Sequence, residues 1–142
     1  MKKRWIAALG FVVAAAALLS PSLGAQDKPE ELATRRAEAW LALVDQGKYE
    51  ESWTEAARLF KSAVTKEKWK DALAAARPPL GKLLSRKLKS RQQTKTLAGA
   101  PDGEYLVIQY DSSFESKKEA TETITPMLDP DGIWRVSGYF IK

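Results

Sequence analysis

The stretch DPDGIWRVSGYFI, residues 129–141, decides the fold. Its Asp131-Gly132 pair is typical of a tight hairpin turn, and the residues that follow are rich in β-branched and aromatic side chains, which favour a strand. Trp134, Val136 and Phe140 share one parity, so we expect them to face the core. The positions of opposite parity, which we expect to face outward, are Arg135, Ser137 and Tyr139. Because an unpaired apolar strand would expose a sticky edge, the stretch predicts a β-sheet.

Three earlier segments show the same two-residue alternation. The residues that share the predicted core parity in these segments are Leu84, Arg86 and Leu88, then Leu106, Ile108 and Tyr110, and then Glu122 and Ile124. Short polar links with turn residues join the segments, which favours strands that pair with their neighbours along the chain. The sequence therefore predicts a four-stranded antiparallel meander over about residues 82–141.

Before the predicted sheet, apolar residues recur at helical spacing instead. The segment Asp27-Lys28-Pro29-Glu30 is typical of a helix start, and Gly47 is typical of a helix end. We expect a second helix from Tyr49 to Val64, and a third that begins after Thr65 and stops at Pro78. The large aromatic residues on these helices, which we expect in the core, are Trp40, Trp53 and Trp69. The predicted class is α+β, with two to three N-terminal helices, about residues 28–77, packed on a curved antiparallel meander sheet.

Residues 1–25 have the three parts of a secretory signal peptide. A basic start, Lys2-Lys3-Arg4, precedes an apolar run over residues 5–19, and Pro21 with small residues follows. The run is 15 residues long, whereas a spanning helix needs about 20. We therefore expect cleavage of a Sec-type signal peptide, a periplasmic or secreted protein without a stable membrane anchor, and a single α+β domain over residues 26–142.

Part of the basic charge of the chain belongs to the predicted signal peptide. The net charge is +5, and loss of Lys2, Lys3 and Arg4 would leave 20 basic residues against 18 acids, a charge of +2. A local excess remains from Lys82 to Lys95, where no acid occurs. Interleaved aromatic residues and nucleic-acid motifs are missing from this stretch, so we expect no nucleic acid as a partner. Two readings stay open, a solvated strand edge and contact with an anionic polymer or surface.

Several separated motifs carry a resemblance to a known family. They are WLxLxDxGxYxxSW at residues 40–53, Trp69, RxPLGxxxSR at 77–86, PDGEY at 101–105, Phe114, Glu122-Thr123 and DGxWRVxGY at 131–139. In this pattern the chain resembles the bacterial domain-of-unknown-function family 4019. The resemblance implies a small exported protein with no assigned activity, and an overall plan similar to the nuclear transport factor 2-like, cystatin-like α+β cone. It brings no catalytic residue with it.

The strand parity also predicts a polar spot inside the fold. Arg86, Tyr110 and Glu122 share the core parity, and a buried charge is costly unless it is paired. We expect Arg86 and Glu122 to be in contact. With Trp134 on the wall, the four residues form the candidate ligand-binding pocket. An internal salt bridge without ligand remains the alternative.

The residue content disfavours catalysis. The chain has no histidine and no cysteine, so the commonest general base, metal ligand and disulfide former are missing. Turn formation is a sufficient reason for the segment Asp129-Pro130-Asp131-Gly132, so we predict no metal and no cofactor. We expect a non-catalytic module that binds a small apolar ligand or a protein partner. The alternatives are a small cone-fold isomerase or hydrolase that uses Glu122, and an envelope-associated protein that binds anionic polymer through residues 82–95.

A homodimer is a further expectation. It would form through the sheet face that the alternation turns outward. The residues expected on that face are Tyr105, Val107, Arg135 and Tyr139.

Overall fold

The computed structural model describes residues 27–142, so the predicted signal peptide lies outside the described residues. Four helices come first, α1 Pro29–Asp45, α2 Tyr49–Thr54, α3 Arg58–Ala63 and α4 Lys66–Ala76, followed by a 3-10 turn at Pro78–Leu80. The strands follow as β1 Leu83–Thr94, β2 Tyr105–Phe114, β3 Lys117–Leu128 and β4 Trp134–Ile141. They pair antiparallel in the order β1-β2-β3-β4. The predicted α+β class and the meander are confirmed.

The first helix begins and ends as its sequence predicts. Pro29 occupies the first turn, where its missing N–H costs nothing, and the acidic Glu30 and Glu31 lie beside the positive end of the helix dipole. Gly47 has a φ of 75°, a left-handed conformation that lets the chain leave the helix and turn back. The buried face of α1 consists of Ala33, Thr34, Ala37, Trp40, Leu41 and Val44. None of the helices between residues 27 and 142 has the length and apolarity needed to span a bilayer.

The second predicted helix is in fact two. The helix stops after Thr54 and resumes at Arg58, so the expected continuous helix from Tyr49 to Val64 is wrong. In the break, the backbone N–H of Ala57 donates to the carbonyl of Val136 on β4 at 2.8 Å. Ala56 and Ala57 are both fully buried, and their small side chains let the backbone approach the strand this closely. The contact with the sheet therefore replaces one turn of helix.

Of the three tryptophans expected in the core, Trp40 is buried there, Trp69 is half-buried and packs against it, and Trp53 is half-buried outside it. Each indole N–H has a partner. Trp40 donates to the carbonyl of Ser52 at 2.7 Å, and Trp69 donates to the hydroxyl of the same serine at 2.9 Å. Trp53 donates to the carbonyl of Val64 at 2.7 Å. These bonds satisfy the polar edge of rings whose apolar bodies pack inside the fold.

The last strand contains a bulge that the alternation did not predict. Thr125 pairs with Gly138 and Pro126 pairs with Val136, so Ser137 is an extra residue on β4. The extra residue reverses the parity of everything that follows it. Phe140 is consequently 50% exposed instead of facing the core, and Tyr139 turns inward against Trp40, with ring centroids 5.4 Å apart. The expected orientations of Phe140 and Tyr139 are therefore wrong.

Strand β1 departs from the expected pattern as well. Leu84 and Leu88, expected in the core, are 55% and 50% exposed. The strand lies at the edge of the sheet, its register shifts at two places, and the helices pack on the other three strands. Tyr105 on β2, expected to face outward, is buried, and its hydroxyl donates to the carbonyl of Pro101 at 2.5 Å. Two of the four residues predicted to form the dimer surface, Tyr105 and Tyr139, therefore point into the fold. The dimer itself stays a prediction.

Candidate functional site

Glu122 on β3 is the most deeply buried charged residue of the site, with 0% of its surface exposed. Its carboxylate oxygen Oε1 accepts from Arg86 Nε at 2.7 Å and from Ser112 Oγ at 2.5 Å. The other oxygen, Oε2, accepts from Arg86 Nη2 at 3.1 Å and from the hydroxyl of Tyr139. The predicted contact between Arg86 and Glu122 is present. Four donors occupy the roughly four acceptor positions of a carboxylate.

The other side of Arg86 faces a second carboxylate, that of Asp45. Arg86 Nη1 and Nη2 lie 2.8 and 2.9 Å from the two oxygens of Asp45. Arg77 Nη2 donates to the same carboxylate at 2.8 Å, and Arg77 Nη1 donates to the hydroxyl of Tyr139 at 3.3 Å. The contacts close on themselves. We call this set the five-residue ring, which consists of Asp45, Arg77, Arg86, Glu122 and Tyr139.

The ring joins the two layers of the fold. Asp45 is the last residue of α1, and Arg77 caps the end of α4. Arg86, Glu122 and Tyr139 come from β1, β3 and β4, while Ser112 of β2 donates to the ring from outside. Two guanidinium groups balance two carboxylates, so the buried charges compensate each other and are also hydrogen-bonded. The ring fastens the ends of two helices to the sheet.

The environment shifts the pKa of three ring residues. Burial alone would raise the pKa of Asp45, but hydrogen bonds and charge from Arg86 and Arg77 outweigh it and hold the pKa below its ordinary value. Burial opposes the charge of Arg86, yet the hydrogen bonds that it donates to its two carboxylate partners, and their negative charge, raise its pKa. Burial and the adjacent Glu122 raise the pKa of Tyr139. Each shift favours the ionic form of Asp45 and Arg86 and the neutral phenol of Tyr139.

Arg77 combines deep burial with an incomplete set of partners. It is 6% exposed, and its guanidinium carbon lies 5.0 Å from the centre of the Phe114 ring. Its Nε is the one buried side-chain polar atom without a hydrogen-bond partner among residues 27–142. The planar guanidinium therefore stacks on an aromatic face while two of its nitrogens hold the ring together.

The four residues of the predicted pocket do not share one cavity. Arg86 and Glu122 are in the ring. Tyr110 pairs with Glu122 across β2 and β3, but its hydroxyl donates to Glu38 at 3.2 Å. Burial and the charge of Glu38 raise the pKa of Tyr110. Trp134 is buried at the far end of β4 and lines another cleft. A ligand role for these residues stays a prediction.

Sequence reasoning missed three ring members. Asp45 and Arg77 enter the sequence analysis only within the family motifs, and Tyr139 is expected on the outer face. The usable signal for Tyr139 was Gly138, because a glycine inside a strand often marks a bulge. For Asp45 and Arg77, nothing local in the sequence indicates that the two helix ends meet beside the sheet.

A cleft next to the ring has predominantly apolar walls. It has a volume of about 460 Å³ and lies between α4 and β4. Its apolar lining residues are Trp69, Ala72, Leu73, Ala76, Leu80, Phe140 and Ile141. Arg77 and Tyr139 form its inner wall, and the lining also includes Lys117 and Lys142 but no acidic side chain. We call this cavity the α4–β4 cleft.

A larger cleft of about 780 Å³ lies between α1, α2 and the start of β4. Trp40 and Trp134 are part of its wall. The charged residues that line it are of both signs, Glu50, Glu51, Glu55, Arg36, Lys66 and Arg135. The mixture gives this cleft no single charge preference. Within residues 27–142, no cluster of acidic residues has the arrangement of a metal site.

Comparison with known protein families identifies this chain's relatives. A family model described as "Protein of unknown function (DUF4019)" matches residues 36–139, a range that includes all five ring residues. No curated protein matches the chain.

Proposed function

The chain belongs to the DUF4019 family, and we propose that it is an exported, non-catalytic binding module. The proposed ligand is a small amphipathic molecule with an anionic head group, held in the α4–β4 cleft. Export rests on the signal-peptide pattern of residues 1–25.

The composition of the cleft carries this proposal. Apolar side chains from α4 and β4 form most of its wall, which is typical of sites that bind the hydrocarbon part of a ligand. The cations Lys117 and Lys142 lie on the lining, and within residues 27–142 neither has an acidic side chain within 4.0 Å. Lys142 Nζ lies 5.8 Å from the centre of the exposed Phe140 ring. An apolar ligand with a carboxylate or similar head would complement both features.

The hydrogen bonding of Glu122 supports a non-catalytic role. A general base must accept a proton from the substrate, and it needs a free lone pair within hydrogen-bond reach. Both oxygens of Glu122 already accept two hydrogen bonds each from Arg86, Ser112 and Tyr139. The residue also does not line the α4–β4 cleft. An isomerase or hydrolase built on Glu122 would first have to break the ring.

Dodecanoate is a suitable probe because it joins a carboxylate to an apolar chain. We expect isothermal titration of the purified protein to show dodecanoate binding, and dodecanol to bind about tenfold more weakly because it lacks the charge. Ala76→Trp fills the cleft from an exposed position on α4 and should raise the Kd for dodecanoate about tenfold or more. Ala75→Trp is the matched control, since Ala75 is exposed on the same helix and does not line the cleft.

The charge contribution is tested separately. Lys117→Glu should remove the preference for dodecanoate over dodecanol. Equal Kd values for Ala76→Trp and the unaltered protein would overturn the proposal, as would the absence of dodecanoate binding.

A further inference from the structure

Strand β1 forms an open edge of the sheet, with register shifts at Leu84 and Lys89. The strand runs for 12 residues and pairs with β2 on one side. In the part of the chain that the structure describes, no backbone group of residues 83–94 bonds to any other element. Alternate N–H and C=O groups of an edge strand point away from the sheet, so β1 presents a row of unused donors and acceptors.

The side chains of β1 are of one charge sign. The strand contains four basic residues and no acid. Two of these four side chains form ion pairs with acids on other elements. Arg86 belongs to the five-residue ring, and Arg91 lies 3.2 Å from Glu30. Lys89 lies 3.8 Å from Asp111, with both side chains more than half exposed, and Lys87 has no ion pair within residues 27–142. The edge therefore carries two exposed lysines, Lys87 without an ion pair and Lys89 in an exposed pair that contributes little.

The opposite edge of the sheet is different. Strand β4 has a single charged residue, Arg135, and it is held by Asp129 and Asp131 at 2.9 Å each. The two exposed leucines of the sheet lie on β1, at positions 84 and 88. Strand β4 also exposes one apolar side chain, Phe140, but it has no lysine and its Val136 carbonyl accepts from Ala57. Of the two edges, only β1 therefore combines open backbone groups, exposed lysines and exposed apolar side chains.

We infer that β1 is a docking strand for an extended, acidic segment of another protein, which would pair with the edge as a fifth strand. Backbone groups of the segment would bond to the open edge, its acidic side chains would face Lys87 and Lys89, and its apolar side chains would contact Leu84 and Leu88. This surface is on a different strand from the α4–β4 cleft, so the inference does not depend on the proposed ligand.

The lysines and the open backbone groups of β1 indicate which kind of partner fits this edge. A second copy of the chain would bring the exposed lysines of two edges together, which like-charge repulsion disfavours. An anionic polymer or lipid surface would match the lysines but would leave the backbone groups of the edge unused. A peptide strand satisfies both, because it alone supplies matching N–H and C=O groups along its length.

The probe for this surface is a ten-residue peptide that alternates glutamate and threonine. We expect the protein to bind it, with slower amide hydrogen exchange confined to β1. Lys87→Glu/Lys89→Glu should raise the Kd about tenfold or more, since attraction becomes repulsion at two positions. Lys48→Glu/Lys68→Glu is the control for overall charge because both lysines are exposed and lie on the helical side. Its Kd should change about twofold or less.

A second peptide separates strand pairing from charge attraction. It has the same sequence, with the backbone nitrogens of two glutamates and three threonines N-methylated, so it lacks about half of the backbone donors on either edge of the peptide strand. Loss of binding by the methylated peptide supports the inference. Equal binding of the two peptides would overturn it, and so would lysine-dependent binding to phosphatidylglycerol vesicles by a protein that does not bind the first peptide.

Discussion

Arg86 on β1 and Glu122 on β3 meet although they are not on neighbouring strands. Arg86 Nε lies 2.7 Å from Oε1 of Glu122, and β2 runs between the two strands. The residue opposite Arg86 on β2 is Ser112, whose short side chain leaves room for the guanidinium to pass over the strand. Ser112 also donates to the same oxygen of Glu122. A small polar residue on the middle strand is therefore what makes the contact geometrically possible.

Removing Glu122 should strongly destabilise the fold. Glu122→Ala leaves Arg86 with a single carboxylate partner and removes the acceptor for Ser112 and Tyr139. We expect a loss of about 3–5 kcal/mol in the free energy of unfolding, the range for breaking a buried ion pair. Urea denaturation measures it. Glu119→Ala, an exposed position on the same strand, and Glu115→Ala, whose carboxylate accepts only from the backbone of Lys82, should both cost less. Equal losses would contradict a structural role for the ring.

The passage over β2 can be tested at Ser112. Ser112→Ala removes one hydrogen bond to a buried carboxylate and should cost about 1.5–3 kcal/mol. Ser112→Leu should cost more than Ser112→Ala because it also fills the space that Arg86 crosses. The adjacent Ser113 points to the other side of the sheet, so Ser113→Ala should change the free energy of unfolding by about 0.5 kcal/mol or less. Thermal unfolding of the three variants would show whether this order is correct.

Asp45 should contribute to the loss of stability at acid pH. Its pKa is lowered in the folded state, so the unfolded chain binds more protons between the folded value and about 3.9. The stabilisation it provides is complete above that unfolded value and is lost as the pH falls through the folded pKa. Asp45→Asn should be less stable at pH 7 and should lose less stability between pH 5 and pH 2. Parallel curves for the two proteins would show that Asp45 makes no such contribution.

Tyr139 should contribute to the loss of stability at alkaline pH. Its pKa is raised on folding by burial and by Glu122, so the unfolded chain releases its phenolic proton first. Its stabilisation is present below about pH 10 and is lost as the pH rises through the folded pKa. Tyr139→Phe should flatten the fall in stability above pH 10. A slope should persist, because burial also raises the pKa of Tyr105 and Tyr110. A slope identical to that of the unaltered protein would count against the ring geometry at this residue.

The sequence predicted the elements of this fold better than their local geometry. Apolar periodicity changes from helical to alternating after Pro79, and this change was enough for the α+β class and the meander. The break between α2 and α3 depends on a hydrogen bond from Ala57 to a strand about 80 residues later, which no local pattern reports. The bulge at Ser137 reversed two orientations because an extra residue in a strand does not alter the alternation that precedes it, and Gly138 is the local signal that indicates it.

The candidate site was predictable only in part. Strand parity predicted the contact between Arg86 and Glu122 because both residues point to the same face of the sheet. It could not supply Asp45 and Arg77, since these lie at helix ends whose position over the sheet depends on packing. The exposure of Leu84 and Leu88 also follows from the extent of the helical layer, which does not cover β1.

A crystal structure of the protein with dodecanoate would show whether the buried charges hold the fold while the adjacent cleft receives the ligand. We expect the alkyl chain along Trp69, Leu73 and Ile141, the carboxylate beside Lys117 or Lys142, and the five-residue ring unchanged. A carboxylate bound to Arg86 in an opened ring, in place of Glu122, would contradict this expectation.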